Sequence, residues 1–436
     1  MKDKTPALYV DVAELEIGMF VHLDLGWLSH PFPRSSFRVA TQEQIETIRG
    51  LGLARVRWEP DKHRAERVRP DAEAGAEAEA ESAEAAAARS AAEQAVAEAE
   101  AARQRRRAAA AAERETLRLC EQRFAEAAHA CSRSFEAVAS DPQRAREHTE
   151  ALVRGFVDQL TESDMMIRTL AEAAGDKAAQ HALNVTVISL LTGRALGLAR
   201  EELQDIGVGA LLHDIGKAAL PAAVRHPDEG LTPTQLEGYR QHVAHSVAAA
   251  RKMGLDPGAL LVVGQHHEHA DGSGFPQRMN ADRMSIGARI VALVNRYDNL
   301  CNPNVAWKAL TPHEALSLMF AQGRNSFDTA VMGVFIKMMG IYPPGSVVQL
   351  TDDRHALVVA VNTNRPLKPR VLVYDAAVPR DEALLLDLET QPALGIRRSI
   401  RPLALPREVH DYLAPRPRVV YFFEPVQQPE RCEAAA

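Results

Sequence analysis

His213-Asp214-Ile215-Gly216-Lys217 is the centre of the most informative stretch of the chain. Around it stand His181, His242 and the adjacent pair His266-His267, and the apolar run 290–294 leads into Asn295 and Asp298. Eight of the 16 histidines, His181, His213, His226, His242, His245, His266, His267 and His269, lie in this stretch. Imidazole and carboxylate are ligands of first-row metals, and a site for two ions needs about six or seven such groups with one carboxylate shared. His181, His213, Asp214, His242, His266 and His267 are the right types in the right number. His213 and Asp214 are neighbours on the chain, face different directions and can touch different ions. Asp214 is therefore the natural bridge. Lys217 follows one turn later, where its ammonium would meet a substrate phosphate. Gly216 is expected to keep that approach open. Each candidate ligand falls at or near the end of an inferred helix, so one bundle interior would gather them.

Working outward, helical apolar spacing runs through 181–198, 201–213, 234–253, 257–267, 285–300 and 312–339. Upstream, Leu117, Cys120 and Phe124, then Val153, Phe156, Val157 and Leu160, carry the same spacing into this region. The stretch 126–345 reads as an all-α domain. Residues 71–125 are mostly Ala, Glu, Gln and Arg, with no proline between Pro70 and Pro142. Strong helix formers without a Leu or Ile seam predict a semi-rigid helical spacer rather than a coiled coil. Residues 1–70 read as a small α+β module, with Thr41 as an N-cap, Gln44 at the capping-box position and a strand over 53–58. Beyond 346, β-branched runs such as Ser346-Val347-Val348-Gln349-Leu350 predict a β-rich appendix to 436, frayed over its last ten residues. The expected fold is thus multidomain and mainly α.

Composition narrows the function classes. A net charge of −7 and pI near 6.2 argue against binding a nucleic-acid polymer or an anionic membrane through bulk charge. The four cysteines, Cys120, Cys131, Cys301 and Cys432, have no metal-type or disulfide-framework spacing, which predicts a reduced cytoplasmic setting. No apolar run approaches the ~18 to 20 residues of a membrane helix, and the first ten residues lack a signal-peptide layout.

The ordered series His181, His213-Asp214-Ile215-Gly216-Lys217, His242, His266-His267-Glu268 and Asp271-Gly272-Ser273-Gly274-Phe275-Pro276 resembles the HD-GYP proteins. These are the bacterial branch of the HD metal-dependent phosphohydrolases that opens cyclic di-GMP or related cyclic dinucleotides. The segments Gly18-Met19-Phe20-Val21 and Tyr342-Pro343-Pro344-Gly345-Ser346 are similar to those of a subgroup with a small uncharacterised module in front. The resemblance implies a phosphodiesterase with two divalent transition-metal ions, iron or manganese first, with nickel or zinc also admitted. It assigns His181, His213 and Asp214 to one ion, and Asp214, His242, His266 and His267 to the other. It further implies that Lys217 supports a phosphoryl oxygen and that Asp271, Gly272, Gly274, Phe275 and Pro276 line the dinucleotide pocket.

Three positions depart from the pattern. Asn295 stands where the family places an aspartate ligand, in Val294-Asn295-Arg296-Tyr297-Asp298. A neutral amide there weakens the first site much more than the second. Asp298 is not expected to take its place. Lys177 occupies the turn before His181 where some members carry a carboxylate for a third ion, so a third ion is not expected. Phe275 replaces a tyrosine and keeps the aromatic face. The alternative to an active phosphodiesterase is therefore a module that binds a cyclic dinucleotide or partner proteins without turnover, as sensor or scaffold. Glu268 is expected either to bond a ligand histidine or to act as a cap, and His226, His245 and His269 are expected to be bystanders. The front module and spacer are candidate surfaces for signalling partners, and self-association is left open.

Overall fold

The computed structural model describes residues 8–25, 30–32, 34–60, 74–170, 176–225, 231–323 and 325–426, with side chains from 88 onward in the long helix. His226, residues 71–73 and the tail 427–436 lie outside the described residues. The chain divides into two compact units, 1–96 and 97–436.

In the first unit, strands β1 (Leu8–Asp11), β2 (Phe20–His22) and β3 (Ser36–Arg38) precede helix α1 (Gln42–Gly50) and strand β4 (Arg55–Trp58). The strands form an antiparallel sheet in the order β1-β4-β2-β3. Ile45 and Ile48 lie one turn apart on α1 and bury against Val12, Val21, Val39 and Val56. Thr41 caps α1 by accepting from Gln44 N at 3.3 Å. The return bond from Gln44 reaches Ala40 N at 2.8 Å, one residue earlier than a standard box.

Helix α2 (Ala74–Ser140) runs for 67 residues across the boundary between the units. Its Ala/Glu-rich composition favours helix without demanding burial, and residues 88–100 are all exposed. From Cys120 its apolar residues enter the core of the second unit, with Phe124, Ala128 and Cys131 fully buried. Asp141 then caps α3 (Pro142–Glu162), accepting from Arg144 N at 3.1 Å, with Pro142 at the first helical position.

Strand β5 (Met165–Thr169) separates α3 from α4 (Lys177–Ala195) and α5 (Arg200–Leu212). The short α6 (Ala222–Arg225), then α7 (Pro233–Met253), α8 (Pro257–Gln265) and α9 (Ile286–Cys301), complete the bundle around the pentapeptide. Leu183, Val185, Val187, Ile188 and Leu190 of α4 are all buried, which makes it the central helix. The single helix expected over 312–339 is two, α10 (Pro312–Gln322) and α11 (Thr329–Met339). The break is built from turn chemistry: Ser326 N and Phe327 N donate to Gly323 O, and Asp328 accepts from Ala330 N and Val331 N.

The remaining strands are β6 (Val347–Leu350), β7 (His355–Asn362), β8 (Arg370–Val373), β9 (Leu384–Asp387), β10 (Ile396–Ile400) and β11 (Tyr421–Pro425), with α12 (Arg407–Leu413) between the last two. They form one seven-stranded antiparallel sheet in the order β10-β6-β7-β5-β11, with β8 and β9 added on β7. The strands after 346, read from the sequence as an appendix, thus share a sheet with a strand of the helical stretch. Among the described residues no helix is long and apolar enough to cross a membrane.

β5 also anchors a buried ion network. Arg168 is 2% exposed; its Nη1 donates to Glu424 of β11 at 2.8 Å and its Nη2 donates to Glu113 of α2. Replacing Arg168 by Met would leave Glu424 buried without its counter-charge. The expected loss is about 3 to 5 kcal/mol of stability, read as a fall in C_m in denaturant unfolding. Arg168→Lys should recover only part of it, because one ammonium cannot reproduce the fork to both carboxylates.

Candidate metal centre

The pentapeptide joins α5 to a single 3-10 turn over Ile215–Ala219. His213 is the C-cap of α5, and Asp214 opens the turn. His181 lies in the second turn of α4, and His266 is the C-cap of α8 with His267 just beyond. His242 corrects the expectation that every ligand ends a helix: it sits midway along α7. What brings it to the site is the packing of α7 on the 3-10 turn. A Cβ at Gly216 would lie 2.2 Å from His242 O and 2.4 Å from Ser246 N. Gly216 is therefore required by this close approach of two backbones, and not to leave room for Lys217. Its N–H donates to Ser246 Oγ at 2.8 Å.

Asp214 stands between two sets of ring nitrogens. Its Oδ2 lies 3.3 Å from His213 Nε2 and 3.6 Å from His181 Nε2; its Oδ1 lies 3.4 Å from His242 Nε2 and 3.7 Å from His266 Nε2. His267 joins the second set, and within each set the candidate ligand atoms all lie within 4.8 Å of one another.

The protonation of these rings follows from their other contacts. Nδ1 of His213, His242 and His266 meets the carbonyl oxygens of Ala210, Tyr239 and Val263 at 2.6, 2.6 and 2.8 Å. A carbonyl only accepts, so each Nδ1 carries a proton and each ring turns its Nε2 inward. His181 is oriented likewise by Asp298, whose Oδ2 accepts from its Nδ1 at 2.6 Å. Burial pushes the pKa of His242 down and those of His266 and His267 well down, so these rings are neutral. Burial alone would raise Asp214, but the Lys217 ammonium carries it well below the usual carboxylate range. The Nε2 atoms face each other at 3.3 Å (His181 and His213) and 3.4 Å (His242 and His266). Asp214 Oδ1 and His267 Nε2 are buried without any hydrogen-bond partner. Lone pairs converging on one carboxylate, with two orphaned buried atoms among them, fit divalent cations in both sets.

Known proteins match this arrangement along the chain. A family described as an HD domain matches residues 138–331, and a domain of unknown function (DUF3391) matches residues 8–149. The residues of both histidine sets lie within the stretch that matches the HD domain. It is 27% identical to the cyclic di-GMP phosphodiesterase PA4108 of Pseudomonas aeruginosa, over 84% of this chain and 85% of that one. It is 23% identical to the cyclic di-GMP phosphodiesterase PdeB of Borreliella burgdorferi, over 44% of this chain and 50% of that one. It is 30% identical to the 3'3'-cGAMP-specific phosphodiesterase 2 of Vibrio cholerae, over 42% of this chain and 36% of that one. The match therefore spans half or less of the last two relatives.

Within this centre the remaining residues take roles that spacing did not give. Lys217 does not stand free: its Nζ is 2.5 Å from Asp214 Oδ2 and 5.5 Å from the Tyr239 ring centre. Glu268, fully buried, neither caps a helix nor bonds a ligand histidine. Its two oxygens accept from Gln277 N at 2.7 Å and Met279 N at 2.9 Å, clamping the loop that contains Gly272 to Pro276. Gly274 presses against the backbone of 267–269, where a Cβ would lie 2.4 Å from His267 O. That approach lays the Phe275 ring on His267, stacked at 4.4 Å, with the Arg240 guanidinium 5.3 Å from the Phe275 centroid. The Asp271 carboxylate accepts from Ser273 N and Ser326 Oγ at 2.8 and 3.1 Å and so shapes the turn. Gly272 takes a positive φ of 77° in that turn. His269 bonds Ser273 Oγ at 2.9 Å and belongs to the same loop.

Asn295 is buried on α9 with its Oδ1 accepting from Asn299 Nδ2 at 2.7 Å. Asp298, one turn on, sits behind His181 and also accepts from Asn184 Nδ2 at 2.7 Å and Asn302 Nδ2 at 2.9 Å. It is a positioning residue, held by three partners on the Nδ1 side of the ring. Asp298→Ala is expected to weaken divalent-metal binding by the His181 set about 10- to 100-fold while the His242 set keeps its ion. Metal analysis after dialysis at graded free-metal concentration checks this, and equal loss from both sets would contradict it.

Proposed function

We propose that this chain is a metal-dependent phosphodiesterase that hydrolyses a cyclic dinucleotide, cyclic di-GMP first, in bacterial second-messenger signalling. The observation that carries the reading is Asp214, whose two oxygens each face their own set of bare imidazole nitrogens. The activities of the relatives, cyclic di-GMP and 3'3'-cGAMP phosphodiesterases, support the same substrate class. Two divalent transition-metal ions in these sets, iron or manganese by preference, would supply Lewis-acid polarisation of a phosphoryl oxygen and activation of water.

The chain's own residues do the rest. His181, His213, His242 and His266 are fixed in direction by their Nδ1–H bonds and His267 by its stacking on Phe275, so little reorganisation would accompany binding. Lys217, with its ammonium 5.5 Å from the Tyr239 ring centre, holds a positive charge next to Asp214 and would meet a non-bridging phosphate oxygen. Phe275, flat on His267 and flanked by Arg240, offers an apolar face with a cation beside it on the side where the loop 272–276 lies. Glu268 holds that loop in place through its two backbone bonds.

The deciding experiment is cyclic di-GMP hydrolysis by the full chain, purified without oxygen and loaded with iron or manganese. Asp214→Ala serves as the blank. The substitution is expected to remove both metals and all turnover, because it deletes the one carboxylate shared by the two sets. Turnover above that blank carries the enzyme reading. A fully loaded protein that binds the nucleotide and does not turn it over would replace the reading by a sensor or scaffold module.

Asn295 gives a second, separable expectation. Asn295→Asp should raise the metal content of the His181 set and leave the His242 set unchanged, since only the former gains a carboxylate. Metal analysis alongside turnover measures it, and no change in either quantity would mean that Asn295 does not limit the first set.

A further inference from the structure

A second cleft in the 97–436 unit lies apart from both histidine sets. Its volume is about 350 Å³, and its lining includes Thr311, His313, Tyr342, Arg397, Arg398 and Arg401. None of these residues belongs to the metal centre. Three guanidinium groups gather along β10, an edge strand of the seven-stranded sheet, and just after it. Opposite them stands the first turn of α10, whose N-cap is Thr311 and whose N-terminus adds a positive dipole end.

The arginines are not fully spent on each other's neighbours. Arg398 makes a single hydrogen bond, Nε to Gln349 Oε1 at 2.9 Å, which leaves its Nη nitrogens for a ligand. Arg401 uses Nε on Glu314 Oε1 at 2.5 Å. Arg397 is held in place from behind by Asp353 and by Thr351 O at 2.8 Å. Glu314 is the one carboxylate in the lining, so the cleft carries a clear positive excess in a chain whose net charge is −7. Beside the arginines, the rings of His313 and Tyr342 stack at 5.0 Å with an interplanar angle of 22°. His313 is fixed in that pose by donating from Nδ1 to Ile341 O at 2.8 Å.

Guanidinium forks recognise phosphate in a planar, bidentate manner, and a fixed aromatic ring offers a stacking face to a nucleobase. The volume suits one nucleotide unit rather than a larger ligand. We propose that this cleft binds a nucleoside phosphate, with the phosphate on Arg398 and Arg401 and the base against the His313–Tyr342 pair. Occupancy there does not depend on hydrolysis at the metal centre. A linear dinucleotide and a free mononucleotide present the same chemistry, a terminal phosphate next to a base.

The test is equilibrium dialysis of the full chain against labelled GMP, inorganic phosphate and a linear guanine dinucleotide carrying a 5'-phosphate. Asp214→Ala separates this cleft from the metal centre. Saturable binding of GMP that survives Asp214→Ala and weakens at least about tenfold in Arg398→Ala is the expected result, one bidentate contact being worth that much. Tyr342→Leu should weaken GMP and leave inorganic phosphate unchanged. The exposed Arg398→Glu, checked for an unchanged melting temperature, serves if the alanine variant is ambiguous. Tighter binding of either the dinucleotide or GMP identifies the source, and both support the site. GMP binding that disappears with Asp214→Ala, or that both Arg398 variants leave intact, overturns it. Phosphate binding as tight as GMP overturns the nucleobase contact.

Discussion

A carboxylate cannot sit among buried, neutral imidazoles unless something holds each ring's lone pair in a fixed direction. In this chain that something is the backbone. The carbonyls of Ala210, Tyr239 and Val263 each take the Nδ1 proton of the histidine three residues on. An i to i−3 bond of this kind uses a carbonyl of the same helix as the ring, so secondary structure itself fixes the tautomer. His181 departs from the scheme. Its proton goes to Asp298, and Asp298 is in turn held by Asn184 and Asn302. Three helix ends and one helix middle have to meet for these bonds to point at one place. The packing of the bundle, down to the backbone contact at Gly216, serves that convergence.

The convergence of His181, His213, Asp214, His242, His266 and His267 was legible in the sequence because metal-ligand chemistry restricts residue type, and such an ordered series of six His and Asp residues is rare. The mainly helical architecture was legible because α4, α5, α7, α8 and α9 each bury apolar residues at helical spacing. Other features were out of reach for physical reasons. His242 lies mid-helix, and periodicity says which face of α7 is inward without saying which turn meets the site. β5 is five residues long and pairs with β11, whose residues 421–425 are more than 250 positions away; no local pattern encodes that partner. The break between α10 and α11 rests on Asp328, whose capping competes with an apolar spacing that continues across it. Glu268 was read as a neighbour of histidines because it follows two of them. Its carboxylate turns the other way and binds two backbone N–H groups nine and eleven residues downstream.

The two oxygens of Asp214 are not equivalent, and this bears on Asn295. Oδ1 faces only imidazole nitrogens and has no hydrogen bond. Oδ2 faces His181 and His213 and also the ammonium of Lys217 at 2.5 Å. A cation approaching the His181 set meets a positive charge already placed on the shared oxygen, whereas one approaching the His242 set does not. The amide at Asn295 adds no negative charge to offset this. Asp298, though close, passes its charge through the His181 ring by a hydrogen bond rather than by direct contact. On the proposed reading of Asn295 as a position of the His181 set, the asymmetry would have two independent causes, one in the lysine and one in the asparagine. It would persist in part if either were changed alone. The same geometry would tie Lys217 to metal loading: its ammonium and a cation held by the His181 set would both draw on the Asp214 carboxylate, so occupancy there would loosen the lysine and leave it for a phosphate oxygen.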